Sequence, residues 1–127
     1  MTAKPSPKKR RAQATGRWSE YACRLILALT GWTTLHHGYR AQRGTGAGEI
    51  DLIAKRRNTL AFIEVKARQT LAVGLESVSS EQQNRIIKGA DRFLASNPQF
   101  NDFDVRFDVM IVRPWHLPRH FSDVWRP

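Results

Sequence analysis

The sequence is short of cysteine, of long apolar runs and of acidic residues near its start. Cys23 is the single cysteine among 127 residues, which excludes an internal disulfide and a zinc site built from several cysteines. No apolar run approaches the roughly 18 residues of a membrane-spanning helix. The first 17 residues are basic and lack the apolar segment of a secretion signal. We therefore expect a cytoplasmic protein that makes no membrane contact.

Positive charge is abundant and unevenly distributed. The formal net charge is +10, and six of the 21 basic residues lie within the first 17 positions, where there is no acid. A segment rich in lysine, arginine and proline buries too little apolar surface to fold alone, so we predict a disordered basic arm at residues 1–16. Such an arm attracts polyanions, nucleic acid above all, although a solubilising leader would have the same composition.

The rest of the chain predicts one domain at residues 17–113 and a C-terminal tail of uncertain structure at residues 114–127. A hydrophobic content of 41% is ordinary for a globular domain. The apolar spacing indicates a first helix ending before Gly31 and a second helix that begins at Ser79 or Ser80 and ends at Asn97.

The first helix has two stripes. Its wide stripe has the spacing of a core-facing surface and comprises Trp18, Tyr21, Ala22, Leu25, Ile26 and Leu29. A thinner stripe on the opposite side comprises Glu20, Cys23 and Leu27. This arrangement favours an exposed Glu20, unless the thin stripe packs toward the sheet.

Alternating and β-branched segments predict four strands. They lie near residues 32–39, 49–54, 60–67 and 105–112. The order helix, three strands, helix, strand predicts an α/β fold with a mixed central sheet flanked by helices. A helix crossover precedes the last strand, so we expect that strand to be parallel to its neighbour.

The most informative pattern is a pair of acids around a short polar turn. If the strands on either side of residues 57–58 are antiparallel, Asp51 faces Glu64 and Glu49 faces Lys66. Side chains alternate along a strand, so all four would project from one face. Two carboxylates placed opposite each other repel and need a compensating cation. The pattern therefore predicts a divalent metal site.

The chemistry that fits these residues is phosphodiester hydrolysis. Asp51 and Glu64 are hard oxygen ligands suited to Mg²⁺ or Mn²⁺, and the backbone carbonyl of Val65 is a further candidate ligand. Lys66 follows two residues later on the same strand face and could position the attacking water and offset phosphate charge. The competing interpretation is an ordinary set of cross-strand ion pairs, including one between Glu49 and Lys66.

Three segments together resemble the bacterial YraN-like family of the PD-(D/E)xK nuclease superfamily, which is similar in fold to archaeal Holliday junction resolvases. The segments are GEIDLIA (residues 48–54), FIEVKAR (residues 62–68) and RFDV (residues 106–109). The resemblance implies a restriction-endonuclease-like core with Asp51, Glu64 and Lys66 as the acid, acid and lysine of the site.

The resemblance also implies two further site residues. Glu20 matches an additional acid on the first helix. The family frequently has a lysine at the start of its second helix, where this chain has Gln82. Gln82 is therefore the candidate at that catalytic position, and capping of the second helix is the alternative role for Gln82 and Gln83.

The favoured function is a metal-dependent endonuclease acting on DNA, with branched DNA suggested by the likeness to resolvases. Candidate contacts to phosphate are arginines in loops or at strand ends, which could equally be solvated surface charge: Arg40, Arg43, Arg56, Arg57 and Arg68. The alternative is a catalytically weak or inactive accessory protein that binds nucleic acid. A basic RNA- or ribosome-associated protein would leave the acidic cluster unexplained. The sequence leaves open whether the chain forms a homodimer.

Overall fold

The structure, a computed structural model, describes residues 7–40 and 48–127, with side chains from residue 17 onward. The elements in chain order are α1 (Pro7–Leu29), β1 (Thr33–Tyr39), β2 (Ile50–Arg56), β3 (Thr59–Ala67), α2 (Leu71–Glu76), α3 (Ser80–Ser96), a short 3₁₀ helix (Pro98–Phe100), β4 (Asp104–Val112) and β5 (Arg119–Trp125). None of the described helices has the length and apolar content needed to cross a membrane.

The five strands form one mixed sheet in the order β1-β2-β3-β4-β5. β3 and β4 are parallel, and the other three neighbouring pairs are antiparallel. The parallel pair is the one connected through α3, because a helical crossover returns the chain to the same end of the sheet. The predicted α/β fold with a mixed sheet is thus confirmed, including the parallel last crossover.

A tight hairpin joins β2 and β3 and sets their register. The pairs run from Arg56 opposite Thr59 to Leu52 opposite Ile63, which is the register expected from the sequence. Arg57 adopts a left-handed backbone conformation with φ of 53° in the two-residue turn. One further step along the same register brings Asp51 and Glu64 into line.

Helices cover both faces of the sheet. On one face, α1 buries Cys23 and Leu27 against a cluster that includes Ile63 of β3. On the other face, α3 buries Ile86 and Phe93 against a second cluster. The side chains of β3 alternate between the two clusters, so its even-numbered residues face α3.

The wide apolar stripe of α1 does not face the core. Trp18 is 76% exposed and Leu29 is 74% exposed, whereas Cys23 and Leu27 of the thin stripe are fully buried. The sheet beneath meets Cys23 and Leu27 with a mixed surface that includes Ala61, Ile63 and Met110. Ile26 is the member of the wide stripe that packs at the edge of this cluster.

Three segments differ from the sequence prediction. α1 begins at Pro7 and so extends ten residues into the predicted disordered arm, with proline at its first position, where its missing N–H costs nothing. Residues 1–6 of that arm lie outside the described residues. The predicted tail contains β5, and the predicted loop after β3 contains the short helix α2. The domain limits stay predictions.

A buried carboxylate attaches β5 to β4. Asp108 is fully buried and accepts hydrogen bonds from Arg106 at 3.1 and 2.7 Å, from the ring of His120 at 2.7 Å and from the backbone N–H of Asp123 at 2.9 Å. Burial alone would raise the pKa of Asp108, but the hydrogen bonds from His120 and Arg106 outweigh it and lower that pKa. β5 is therefore held to β4 by polar contacts to Asp108, which the pattern of apolar and polar residues along β5 does not indicate.

We predict that Asp108→Asn strongly destabilises the protein, because Arg106 and His120 lose the carboxylate that compensates them. Removing one partner of a buried ion pair costs about 3–5 kcal/mol in the free energy of unfolding. Urea unfolding at pH 7 measures this loss. Asp102→Asn, at an exposed position, is the matched control and should change little. Equal unfolding midpoints for the two variants would contradict the structural role of Asp108.

Candidate active site

The candidate site lies at one end of the β2–β3 hairpin, away from its turn. Asp51 is the second residue of β2, and its Oδ2 accepts the backbone N–H of Val65 on β3 at 2.8 Å. The carboxylate therefore accepts a backbone N–H that would otherwise donate to a backbone carbonyl of the neighbouring strand. This bond fixes Asp51 beside the second half of β3.

Glu64 is held between two donors. Its Oε1 accepts a hydrogen bond from Nε2 of Gln82 at 2.9 Å and lies 3.3 Å from Nζ of Lys66. The side chains of Glu64 and Lys66 are only 7% and 15% exposed. The glutamate, the lysine and the glutamine thus form one buried polar group on the α3 side of the sheet.

The two carboxyl groups share a desolvated environment. Burial, followed by the charge of Asp51, raises the pKa of Glu64 to about 7, and Lys66 opposes this only in part. Burial likewise raises the pKa of Asp51. The charge of Asp51 acts on Glu64, so Glu64 takes up a proton more readily than a solvated carboxylic acid does. A cation could compensate the same negative charge.

Glu20 approaches the same acids from α1. It is half-buried, and burial, then the charges of Asp51 and Glu49, raises its pKa. The thin stripe of α1 therefore faces the site, which decides the alternative that the sequence left open for Glu20.

Glu49 does not pair with Lys66. It precedes β2, is exposed, and lies 3.4 Å from the guanidinium of Arg40. The expected pairing required the β2–β3 ladder to continue two residues beyond Asp51, but the side chain of Asp51 occupies the Val65 donor and the strand ends. The ion pair of Lys66 is with Glu64 instead.

The side chain of Gln82 enters the site, and only its backbone N–H takes part in capping α3. The Oγ of Ser79 accepts the N–H of Gln82 at 3.1 Å, which is an ordinary N-cap. The side chain is free to reach Glu64. Gln83 points elsewhere and donates to the carbonyl of Val78 at 3.2 Å.

The donor set fits a hard divalent ion with few protein ligands. Asp51 and Glu64 supply carboxylate oxygens, and the carbonyl of Val65 points toward β2 because the N–H and C=O of one strand residue lie on the same side. Within the described ranges, no group of three or more His, Cys, Asp or Glu side chains is arranged to hold a metal. Mg²⁺ is commonly bound through one or two carboxylates with several waters retained.

The candidate arginines are dispersed. Arg56 and Arg57 lie at the turn end of the hairpin, five residues or about 17 Å from Asp51, so they do not flank the site as expected. Arg56 instead stacks on Trp32, with its guanidinium 4.6 Å from the ring centre. Arg40 and Arg68 are exposed near the site end of the sheet, whereas Arg43 lies outside the described residues.

This architecture is shared with a solved nuclease. The structure of Hjc from Archaeoglobus fulgidus, described as a Holliday junction resolvase from an archaeal hyperthermophile, matches with a TM-score of 0.55 over 84% of this chain and 75% of that chain. The sequences are 16% identical, so the likeness concerns the fold alone. The chain therefore shares the fold of that resolvase.

Sequence comparison gives the family. The chain belongs to the uncharacterised protein family UPF0102, whose model matches residues 19–112. A UPF0102 protein of Paramagnetospirillum magneticum is 44% identical over 98% of this chain and 97% of its own length. Another from Maricaulis maris is 39% identical over 94% of this chain and 91% of its own length. The predicted YraN-like family is thus confirmed.

We predict that Asp51→Asn stabilises the metal-free protein at pH 8. Asparagine can still accept the Val65 N–H but removes a negative charge beside Glu64. The raised folded-state pKa of Glu64 means that folding becomes less favourable as the pH rises from 4.5 through about 7. The gain in unfolding free energy should be on the order of 1 kcal/mol at pH 8 and vanish near pH 4.

Urea unfolding in EDTA at both pH values measures this effect. Asp102→Asn, which removes an exposed acid, is the control for a general change in charge. A variant equally or less stable than wild type at pH 8 would show that the carboxyl pair is not in repulsion.

Proposed function

We propose that this protein is a metal-dependent endonuclease that hydrolyses phosphodiester bonds of DNA in the cytoplasm. The observation that carries the proposal is the pair of carboxyl groups at Asp51 and Glu64, both with raised pKa, beside the ammonium of Lys66. Perturbed acids grouped with a lysine are typical of catalytic sites. The nuclease-like fold supports the same function but does not identify a substrate.

Asp51, Glu64 and the carbonyl of Val65 are the proposed ligands of Mg²⁺ or Mn²⁺. Such an ion, when bound, supplies positive charge that stabilises the charge developing on the phosphate. The chain's own contribution is to hold two carboxylates close together before the ion arrives. The Val65 N–H and the Gln82 amide fix one oxygen of each acid.

Lys66 is proposed to position water and neutralise phosphate charge. Its ammonium lies 3.3 Å from Oε1 of Glu64. An ammonium must lose its own proton before it can act as a base. We therefore assign water positioning and electrostatic stabilisation to Lys66 ahead of a role as general base.

Glu20 and Gln82 complete the proposed site. Glu20 adds a third acid within electrostatic range of Asp51. Gln82 stands where the family frequently has lysine, and it donates to Glu64 without adding charge. It is proposed to orient that carboxylate.

The proposed substrate is DNA, and branched DNA is the first form to test, because the similar archaeal protein is described as a Holliday junction resolvase. Arg40 and Arg68 are proposed to contact phosphate from the exposed surface near the site. A homodimer is part of the proposal. The alternative, an inactive nucleic-acid-binding protein, is disfavoured because a binding surface gains nothing from buried carboxylates that repel phosphate.

We predict that Asp51→Asn and Lys66→Ala each reduce DNA cleavage by about 100-fold or more. The first removes a charged ligand of the metal, and the second removes a positive charge that stabilises the transition state. Cleavage of linear, flapped and four-way DNA with Mg²⁺ or Mn²⁺ measures the loss. Gel-shift binding without metal should stay close to wild type. Lys88→Ala, at an exposed position of α3, is the matched control.

Unchanged cutting by both variants would remove these residues from the mechanism. A wild-type protein that cuts none of the substrates and binds no divalent metal would support the inactive binding protein instead.

We predict that Gln82→Ala weakens Mn²⁺ binding, because Glu64 loses the donor that orients it. Loss of such a supporting hydrogen bond typically costs about 10–100-fold in metal affinity. Isothermal titration calorimetry measures the dissociation constant. Gln83→Ala is a close control, since that neighbouring amide bonds Val78 and not the site. Equal affinities for the two variants would mean that Gln82 does not support the metal ligand.

A further inference from the structure

An apolar groove lies on the α1 side of the sheet, beside the ends of β3 and β4. Its volume is about 550 Å³, and its floor includes Ala22 of α1, Ala67 of β3 and Val112 of β4. This volume lies within the range of small-molecule binding sites. None of the residues described so far as candidate ligands lines it, so the groove is distinct from the metal site.

One exposed tryptophan lines this groove, and a second follows a lining residue in sequence. Trp18 lines the groove and is 76% exposed. Trp115 directly follows the lining residue Pro114 and is fully exposed. Trp115 also has a left-handed backbone with φ of 62°, which is costly for a bulky side chain.

The charge of the groove is positive. Arg68 and Arg113 line it, and no acid does. The Nε of Arg113 is buried and has no hydrogen-bond partner within the described part of the chain. This N–H is closed to solvent, so Arg113 can reach a ligand in the groove only through the outer nitrogens of its guanidinium.

The groove and the candidate active site lie near the same end of β3 but on different faces of the sheet. Ala67 and Arg68, which line the groove, directly follow Lys66, and the N–H of Arg68 donates to the carbonyl of Val112 at 3.0 Å. A nucleic acid strand that leaves the site would therefore pass round the end of β3 to reach Arg68.

We propose that this groove binds unpaired nucleotides of the nucleic acid strand that is cut. The bases stack on Trp18 and Trp115, and Arg68 and Arg113 contact the phosphates. Aromatic platforms interleaved with cations are the usual means of holding single strands without sequence preference. This rests on the proposed function and specifies its substrate as DNA with an unpaired segment beside the cleavage point.

A second copy of this chain is the weaker candidate for the same surface. A two-fold axis at the groove would bring Arg68 and Arg113 of both copies together, and like charges at an interface are unfavourable. A polyanion satisfies both the apolar surface and the arginines.

Binding of fluorescein-labelled oligo-dT and of a duplex of equal length, in EDTA to prevent cutting, tests the proposal. Trp18→Ala and Trp115→Ala should each weaken single-strand binding by about tenfold or more, with little effect on the duplex. Arg113→Gln should reduce the salt dependence of log Kd by about one phosphate contact. Leu29→Ala, a 74% exposed apolar position on α1 that does not line the groove, is the matched control.

Tryptophan fluorescence gives a second readout. Trp32 and Trp125 are buried, so quenching by oligo-dT reports mainly on the two exposed rings. Wild-type affinity and quenching in both tryptophan variants would overturn the proposal. So would sedimentation showing that the variants lose only self-association, which would assign the groove to a second copy.

The outcomes separate this proposal from the proposed cleavage. Asp51→Asn should bind oligo-dT as wild type does, whatever its activity. Tryptophan-dependent binding by a protein that never cuts would keep the groove and reject the nuclease. Intact cutting with tryptophan-independent binding would reject the groove and keep the nuclease.

Discussion

The structure depends on a carboxyl pair that the fold forces together. The β2–β3 hairpin sets Asp51 beside Glu64, and the Val65 N–H locks one of the two acids in place. Burial raises the pKa of both carboxyl groups, and the charge of Asp51 raises the pKa of Glu64 further. Such a pair is unfavourable in a metal-free protein above neutral pH, and the metal ion of the proposed function would compensate its charge.

The helices are placed to serve this pair. α3 begins at the site, so its N-cap positions Gln82 within reach of Glu64. α1 lies on the opposite layer with Cys23 and Leu27 inward, which brings Glu20 within electrostatic range of Asp51. The same orientation leaves the large residues of α1 outward and creates one wall of the groove at Trp18. The orientation of α1 therefore determines both the candidate active site and the groove.

Much of this arrangement follows from local sequence rules. The two-residue turn and strand alternation predict the register, and the helix crossover predicts the parallel pairing of β4. The buried stripe of α1 is not predictable in the same way, because the more hydrophobic stripe is the exposed one and the orientation of the helix depends on its tertiary contacts with the sheet. β5 is not predicted from the sequence because it is attached to β4 through the contact between His120 and Asp108, two residues that are distant in sequence. The hydrogen bond from Gln82 to Glu64 is not predictable either, because it depends on the position of the first turn of α3 relative to β3.

Anomalous diffraction from crystals grown with Mn²⁺ above pH 8 would locate the metal site. We expect one ion whose protein ligands are the carboxylates of Asp51 and Glu64 and the carbonyl of Val65, with Lys66 outside its coordination shell. An ion bound elsewhere, or no ion beside the two carboxylates, would contradict the proposed metal site.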